Sequence, residues 1–463
     1  MTATTPLISA TLADFVSRQT YDAIPQPVRH RAKLLMLDAI GVAFASGRFD
    51  FARRALAALT SLGSGDTPVI GMGVKLGLRD AVLLNGILVH GLDYDDTYLP
   101  GSLHLSASCV PTVLGIATQT RASGRDLVTA CTLGLEMGAR LGAAGNGGFL
   151  RAGFHATSIV GTFACTLAAS RLLGLTPEQT IMAQGIALSM TSGNLQPMED
   201  GAWTKRMHPG LSGASAITAA TLAREGFVGP RATYEGRFGL FPCFLGQHFA
   251  GAELDRATTG LGTTWEFTRA SIKLYPACHQ SHAFFNAACR LATEEKVRPE
   301  EIVSIHALVA EPAVPLICEP LAAKRVPDTS YAAQFSLPYG IATCLVRGRF
   351  GLREIEAESY QDAGLRKVAS LMTYEVDPNS GFPRTRTGEV IVGLKDGRKL
   401  SRRESILPDE PAGEAEIVAK FMDNVALVMG PARAARIRDA ILSVDAMQDA
   451  GELLALLGPK DDG

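Results

Sequence analysis

Charge and aromatic side chains are scarce in this chain. Of 463 residues, 19% are Asp, Glu, Lys or Arg and 6% are aromatic, with two tryptophans. The formal net charge is −2 and no long basic run occurs, so the basic footprint that nucleic acid requires is missing. No stretch offers eighteen apolar residues without a charge, which argues against a membrane-spanning helix and a membrane partner. Met1 to Leu12 lack a basic segment followed by a long apolar core, so no signal peptide is expected. The eight cysteines include no C-x-x-C pair, which removes zinc-ribbon and thiol redox motifs. Several sit in apolar helical runs as small hydrophobes, and a reducing cytoplasm is the expected location.

Small and aliphatic residues fill the space that charge and aromatics leave. The chain is 47% hydrophobic, holds 47 glycines and has a mean hydropathy of +0.14. The length suggests two or three domains, and the glycine and alanine content predicts helices packed closely together. Against this background His90-Gly-Leu-Asp-Tyr-Asp-Asp-Thr-Tyr-Leu-Pro-Gly-Ser-Leu-His104 stands out. Asp93, Asp95 and Asp96 sit beside two histidines at the end of an apolar helix predicted over Ala81 to Val89. Aspartates are seldom buried without a partner. Three together either solvate a loop and cap a helix or form a site with perturbed proton affinities.

Periodicity predicts an amphipathic helix over Pro27 to Gly47, with Leu34, Leu35, Leu37 and Ile40 on its stripe and Arg29, Arg31 and Lys33 off it. A short extended piece follows at Asp66 to Gly71. Gly71-Met-Gly73 lacks the third glycine of a dinucleotide fingerprint, where Leu76 stands, so a Rossmann site is not supported. Further helices are predicted over Val110 to Ala122, Arg125 to Leu141, His155 to Leu173, Thr176 to about Met190 and Pro209 to Arg224. Thr176-Pro-Glu-Gln is an N-cap followed by proline and polar first-turn residues. The His155 helix is nearly uncharged on every side, which predicts burial. After about residue 268 the pattern mixes. Ser271 to Pro276 reads as extended, Ser281 to Glu294 and Ala332 to Val346 as helix, and Ile302 to Val309, Met372 to Val376 and Glu389 to Lys395 as strands. Asp396-Gly397 turns the last of these into Arg398 to Arg402 as a hairpin. Helical periodicity resumes at Ala415 to Val428, Pro431 to Leu442 and Gln448 to Leu457. The expected fold class is mainly α: a large all-helical domain (1–268, completed by 408–463) with a smaller α+β lid domain (269–407).

Four blocks, taken together, give the chain a specific likeness. They are His90-Gly-Leu-Asp-Tyr-Asp-Asp-Thr97, Gly153-Phe-His-Ala-Thr-Ser158, Thr204-Lys-Arg-Met-His-Pro-Gly210 and Ile272-Lys-Leu-Tyr-Pro-Ala-Cys-His279, with support from Asp328 to Gly340. In this order they resemble the MmgE/PrpD family, which contains 2-methylcitrate dehydratase, cis-aconitate decarboxylase and iminodisuccinate epimerase. The resemblance implies a helical domain with a smaller lid, a homodimer, a site in the cleft between domains, and lyase or isomerase chemistry on a small carboxylic-acid substrate without metal or organic cofactor. Residue by residue, it implies site positions at or near Asp93, Thr97, His104, His155, Lys205 and Lys273. Two departures stand out. The step from Thr97 to His104 is one residue longer than in the decarboxylases, and Cys278 stands where they carry a histidine, with His279 next to it.

These residue types suit proton removal next to a carboxylate. That reaction needs a base and fixed positive charge where the enediolate develops. Histidine supplies a base near neutrality, and lysine a compact cation for carboxylates. The expected assignment is His104 and His155 for proton transfer, Asp93 to orient a histidine or hold a proton, and Lys205 as clamp and stabiliser. Thr97, Lys273 and His279 are the expected substrate contacts. His208, Asp95 and Asp96 read as structural support, and Tyr275 and Tyr331 as uncommitted. Dehydration is the expected reaction, with decarboxylation and epimerisation as alternatives that share the carbanion-like state. Two other classes compete: a magnesium enzyme using Asp93-Tyr-Asp95-Asp96, which lacks a second carboxylate cluster, and a non-catalytic polycarboxylate-binding protein. His279 and His282 have zinc-like spacing but too few companions for a metal site.

Overall fold

The small residues that dominate the first half of the chain allow helices to meet almost backbone to backbone. In the computed structural model, which describes residues 6–382, 385–407 and 411–458, that half is built almost wholly of helices. The protein is mainly α, and it divides into two compact units, Met1–Ile272 with Ala412–Gly463, and Lys273–Pro411. Residues 1–5 of the N-terminal segment and the expected boundary residue 408 lie outside the described residues.

The larger unit is organised around helices Leu78–His90, Ser106–Thr120, Gly124–Ala144, Ala156–Leu172 and His208–Arg224. Ala156–Leu172 packs against the other three of these that follow Leu78–His90, and its side chains are buried from Ala156 to Ser170, as its charge-free sequence predicts. Leu78–His90 crosses His208–Arg224 at a pair of glycines. A Cβ on Gly86 would stand 2.3 Å from the Gly210 Cα. This crossing sets the C-terminal end of the first helix, at His90, beside the N-terminal end of the second, at His208.

Two helices of this unit differ from the sequence reading, each because of residues outside the helix itself. Gln26–Ser46 is not amphipathic: it is buried on all sides from Leu34 to Ser46. Helix Glu414–Val425 covers the face that the N-terminal sequence alone leaves open, and Phe421 lies so close that a Cβ on Gly41 would meet its ring at 2.9 Å. Arg31 is buried too, donating to the carbonyls of Ala270 (2.7 Å) and Ala412 (3.1 Å). Ser106–Thr120 begins four residues before the predicted Val110 and carries Pro111 inside it. Its start is capped from a distance, since the Asp96 carboxylate accepts the backbone N–H groups of Leu105 (3.0 Å) and Ser106 (2.9 Å). At Thr176 the predicted cap forms a full capping box with Gln179. A two-residue ladder, Thr67–Pro68 with Lys75–Leu76, makes this unit slightly less than all-helical.

The smaller unit holds a four-stranded mixed sheet. Its order is Met372–Val376, Ile302–Val309, Arg386–Leu394, Lys399–Ile406. The first pair is parallel and the others antiparallel, the last joined by the Asp396-Gly397 turn, where Gly397 takes φ +89°. Helix His282–Thr293 packs on the two hairpin strands, and Phe284 lies where a Cβ on Gly388 would go. The helix predicted over Ala332 to Val346 is two, Ser330–Gln334 and Leu337–Arg347. The Ser336 hydroxyl accepts the Tyr339 N–H and Pro338 occupies the first turn, so a new helix starts there. Ser271 to Pro276 forms no strand; Ser271 makes one isolated bridge, to Thr97. Among the described residues no helix is long and apolar enough to cross a membrane.

Candidate active site

His90 ends its helix with the ring fully buried, and the chain then turns sharply. Asp93 takes φ +50°, a left-handed conformation that aspartate tolerates better than most residues. Asp95 is buried beneath it, and both its oxygens accept from His90 Nδ1 at 2.9 and 3.1 Å. Asp96 is buried as well, and burial together with the Asp95 charge pushes its carboxyl up to about 6. The loop then folds back on itself. Tyr98 and Leu103 exchange backbone hydrogen bonds (2.8 and 3.3 Å) around a 3-10 turn at Leu99–Gly101, with Ser102 left-handed at φ +52°. This closed loop takes up the step between Thr97 and His104.

Closure delivers His104 to the aspartates it follows in sequence. Its Nδ1–H donates to the Asp96 carbonyl at 2.7 Å and lies 3.5 Å from Asp95 Oδ2. That bond fixes the tautomer by inference from the network, leaving Nε2, 3.7 Å from Asp93 Oδ1, as the basic nitrogen. The His104 N–H donates to Thr157 Oγ1 at 3.0 Å.

His155 and Lys205 come from the other two blocks of the larger unit. His155 is the N-cap residue of Ala156–Leu172, and its N–H donates to the Gly193 carbonyl at 3.0 Å. Its ring is buried, with Nδ1 3.0 Å from Nδ1 of His208, so one proton is shared between the two rings. Burial, then the positive charge of Lys205 and the neighbouring imidazoles, holds His155 well below the ordinary histidine range. Burial, His90 and Lys205 push His208 down to about 4. Both rings are therefore neutral at pH 7. Lys205 lies in a 3-10 turn, Thr204–Met207, and its Nζ is 3.4 Å from Asp93 Oδ1. Its neighbour Arg206 anchors that turn: Nε donates to the Gly91 carbonyl at 2.9 Å, and the guanidinium lies 4.6 Å over the Phe51 ring. An adjacent Lys-Arg pair thus divides into a site cation and a clamp.

Four imidazoles meet in this way. Ring centroids are 4.7 Å apart for His90 and His104, 5.4 Å for His90 and His155, and 5.2 Å for His155 and His208. Of the expected site residues, Asp93, His104, His155 and Lys205 converge here. Thr97 lies in the same loop, pairing its backbone with Ser271 in both directions (2.7 and 2.9 Å). Its buried Oγ1 has no hydrogen-bond partner among the described residues. Lys273 and His279 belong to the smaller unit. Lys273 is buried at its start, and the His279 ring lies 4.7 Å from that of His282, beside Tyr275. Sequence reasoning set His208 among the supports and gave His90 no part; the signal available for His208 was its place three residues after Lys205 and directly before the Pro-Gly helix start.

The aspartates are committed to these contacts, Asp95 to His90 and Asp96 to helix N–H groups, which argues against the magnesium reading. Among the described residues, the groupings able to hold a metal are His90 with His104 and His155, and His90 with Asp93, Asp95 and His104, rather than His279 and His282.

Residues 10–251 match the MmgE/PrpD N-terminal domain, and residues 275–446 match the MmgE/PrpD C-terminal domain. The chain belongs to the MmgE/PrpD family. Among its relatives are a cis-aconitate decarboxylase-like protein of Aspergillus oryzae, 26% identical over 97% of both chains, and a cis-aconitate decarboxylase of Aspergillus terreus, 27% identical over 97% of this chain and 96% of the other. The human cis-aconitate decarboxylase is 24% identical over 83% of this chain and 81% of its own. The likeness to the fungal proteins therefore runs through both units.

Proposed function

We propose that this MmgE/PrpD protein is a lyase of a small di- or tricarboxylic acid, working through a carbanion-like state next to a carboxylate. One observation carries the reading. Imidazoles, an ammonium group and an orienting carboxylate, from three sequence blocks about fifty residues apart, gather around one point of the larger unit. A neutral imidazole whose Nδ1 is held from behind presents Nε2 for proton transfer. In this reading His104 and His155 move the proton, Asp93 orients His104 and Lys205, Lys205 balances the developing enediolate, and the Thr97 hydroxyl donates to a substrate oxygen.

The relatives' names make loss of CO₂ from cis-aconitate the first reaction to assay. Loss of water from a 2-methylcitrate-like hydroxy acid is the second reading. Cys278, where the family resemblance implies a histidine in the decarboxylases, speaks against a strict decarboxylase and so leaves room for it. Both readings use the same side chains around one enediolate: dehydration forms it by removing a proton and then expels hydroxide from the β carbon, whereas decarboxylation forms it by releasing CO₂, which leaves its bonding electrons behind, and then returns a proton to carbon.

Incubation in D₂O with a panel of di- and tricarboxylic acids, followed by NMR, tests the proposal. Loss of CO₂ or water with deuterium entering carbon is expected. Exchange without loss of either group indicates an epimerase instead. His155→Ala and Lys205→Ala should each lower kcat by about 10²-fold or more, the range for a positioned acid or base. Activity within threefold of wild type in both variants overturns the assignment, and silence toward the whole panel leaves a non-catalytic binding protein.

A further inference from the structure

The three innermost imidazoles share a feature that proton transfer alone does not require. Each has its Nδ1 engaged by an outer partner: Asp95 for His90 (2.9 Å), the Asp96 carbonyl for His104 (2.7 Å) and His208 for His155 (3.0 Å). Histidines that ligate a metal are held in this manner, donating the far N–H to a carboxylate or carbonyl while the near nitrogen faces the ion. One ring nitrogen of each of the three lies within 4.8 Å of the others. Nitrogens around a tetrahedral zinc, at about 2.0–2.1 Å from it, stand about 3.4 Å apart, so the rings need draw in by at most about 1.5 Å. Asp93 Oδ1, 3.7 Å from His104 Nε2, offers an oxygen as fourth ligand.

We infer that His90, His104 and His155, with Asp93, form a binding site for one divalent ion of zinc type, and that the ion inhibits by occupying the place of the substrate. The inhibition rests on the function proposed above; the binding does not. The outer contacts ease the binding. In the tautomer in which the proton between the two rings belongs to His155 Nδ1, the Nε2 of His155 carries the lone pair that a metal needs.

Lys205 works in the other direction. Its ammonium, 3.4 Å from Asp93 Oδ1, occupies the side on which the fourth ligand would close and repels a cation. The resting site is therefore biased toward anions, and the metal is an intruder held by imidazoles and opposed by the lysine. This opposition gives the inference a signature: deleting a positive charge should improve cation binding while harming turnover of a carboxylate.

The test uses the full chain stripped of metal and titrated with Zn²⁺ by calorimetry, and with Co²⁺ by absorbance. One equivalent should bind, with the intense visible absorption of four-coordinate cobalt. His104→Ala and His155→Ala should each weaken Zn²⁺ binding tenfold or more, with far-UV circular dichroism confirming the fold. Lys205→Met, on a partly exposed turn, should tighten it threefold or more, and His279→Ala should leave it unchanged. Turnover of the active polycarboxylate should fall as free Zn²⁺, set by a metal buffer, passes the calorimetric Kd, and chelation should restore it. Absence of binding overturns the site, as does binding lost in His279→Ala and retained in His104→Ala and His155→Ala. Binding at these residues by a chain that turns over no polycarboxylate upholds the metal site and removes the functional reading. Turnover that persists with zinc bound overturns the inhibition.

Discussion

Asp38 and Lys420 are buried together in the larger unit, 2.6 Å apart. Burial, opposed by Lys420, pushes the Asp38 carboxyl up to about 6. The folded chain thus binds this proton more tightly than the unfolded one, whose Asp38 titrates near 3.8. The stability that the group contributes through its proton is fully present below 3.8 and is lost as pH rises through about 6. Following the carboxyl carbon of Asp38 by NMR should give a midpoint near 6 rather than near 4. Asp38→Ala should lower stability by about 3–5 kcal/mol in denaturant titrations near pH 7, because it leaves the Lys420 charge buried without its partner. Asp96→Ala acts more locally. It removes the acceptor for two helix N–H groups, a loss of about 0.5–2 kcal/mol. The turn whose carbonyl holds His104 loosens with it, so activity should fall further than the melting temperature suggests. At this scale the sequence was legible where chemistry clusters along the chain, at Asp93, His104, His155 and Lys205. It was less legible for His90 and His208. A histidine next to a Pro-Gly helix start reads as a cap until the partner ring, from a block about fifty residues away, is seen beside it.

Helices in the larger unit place these residues through close backbone contact, and glycines permit it. The Gly86–Gly210 crossing fixes the ends at which His90 and His208 stand. A Cβ on Gly210 would come 2.1 Å from the Leu83 carbonyl oxygen, a rigid backbone atom. Gly210→Ala should therefore force the helices apart at a cost of about 1–3 kcal/mol or more and shift His208 from His155. A thermal melt and an assay should both register it, whereas alanine at Gly251, which has open space around its Cβ position, should change neither. Periodicity recovered most elements, down to the strand Ile302–Val309 and the Asp396-Gly397 hairpin. It failed where remote residues decide. The early start of Ser106–Thr120 depends on Asp96, and the all-round burial of Gln26–Ser46 depends on a helix near the far end of the chain. A break between two helices at Ser336 was legible in principle, since Ser-Leu-Pro carries both a cap and a first-turn proline, but the alanines and aliphatics on either side masked it.

For the whole molecule, the likeness to the MmgE/PrpD family extends through both units, and the family resemblance led to the expectation of a homodimer. We propose that two copies associate in solution. Light scattering on the eluting protein should give about twice the 49.0 kDa of one chain, and a mass equal to one chain at micromolar concentration overturns this. The division into units has a further consequence. Lys420, besides meeting Asp38, donates to the Tyr94 carbonyl at 2.7 Å and lies 3.9 Å over the Tyr94 ring, inside the acidic loop. The ribosome makes that loop early and Lys420 late. At about 5–20 residues per second, a nascent chain waits tens of seconds with Asp38 and Tyr94 exposed before their counterpart emerges. A message cut short before the codon for Ala412 therefore yields a chain that has every histidine of the cluster and lacks the fastening that holds their loop in place.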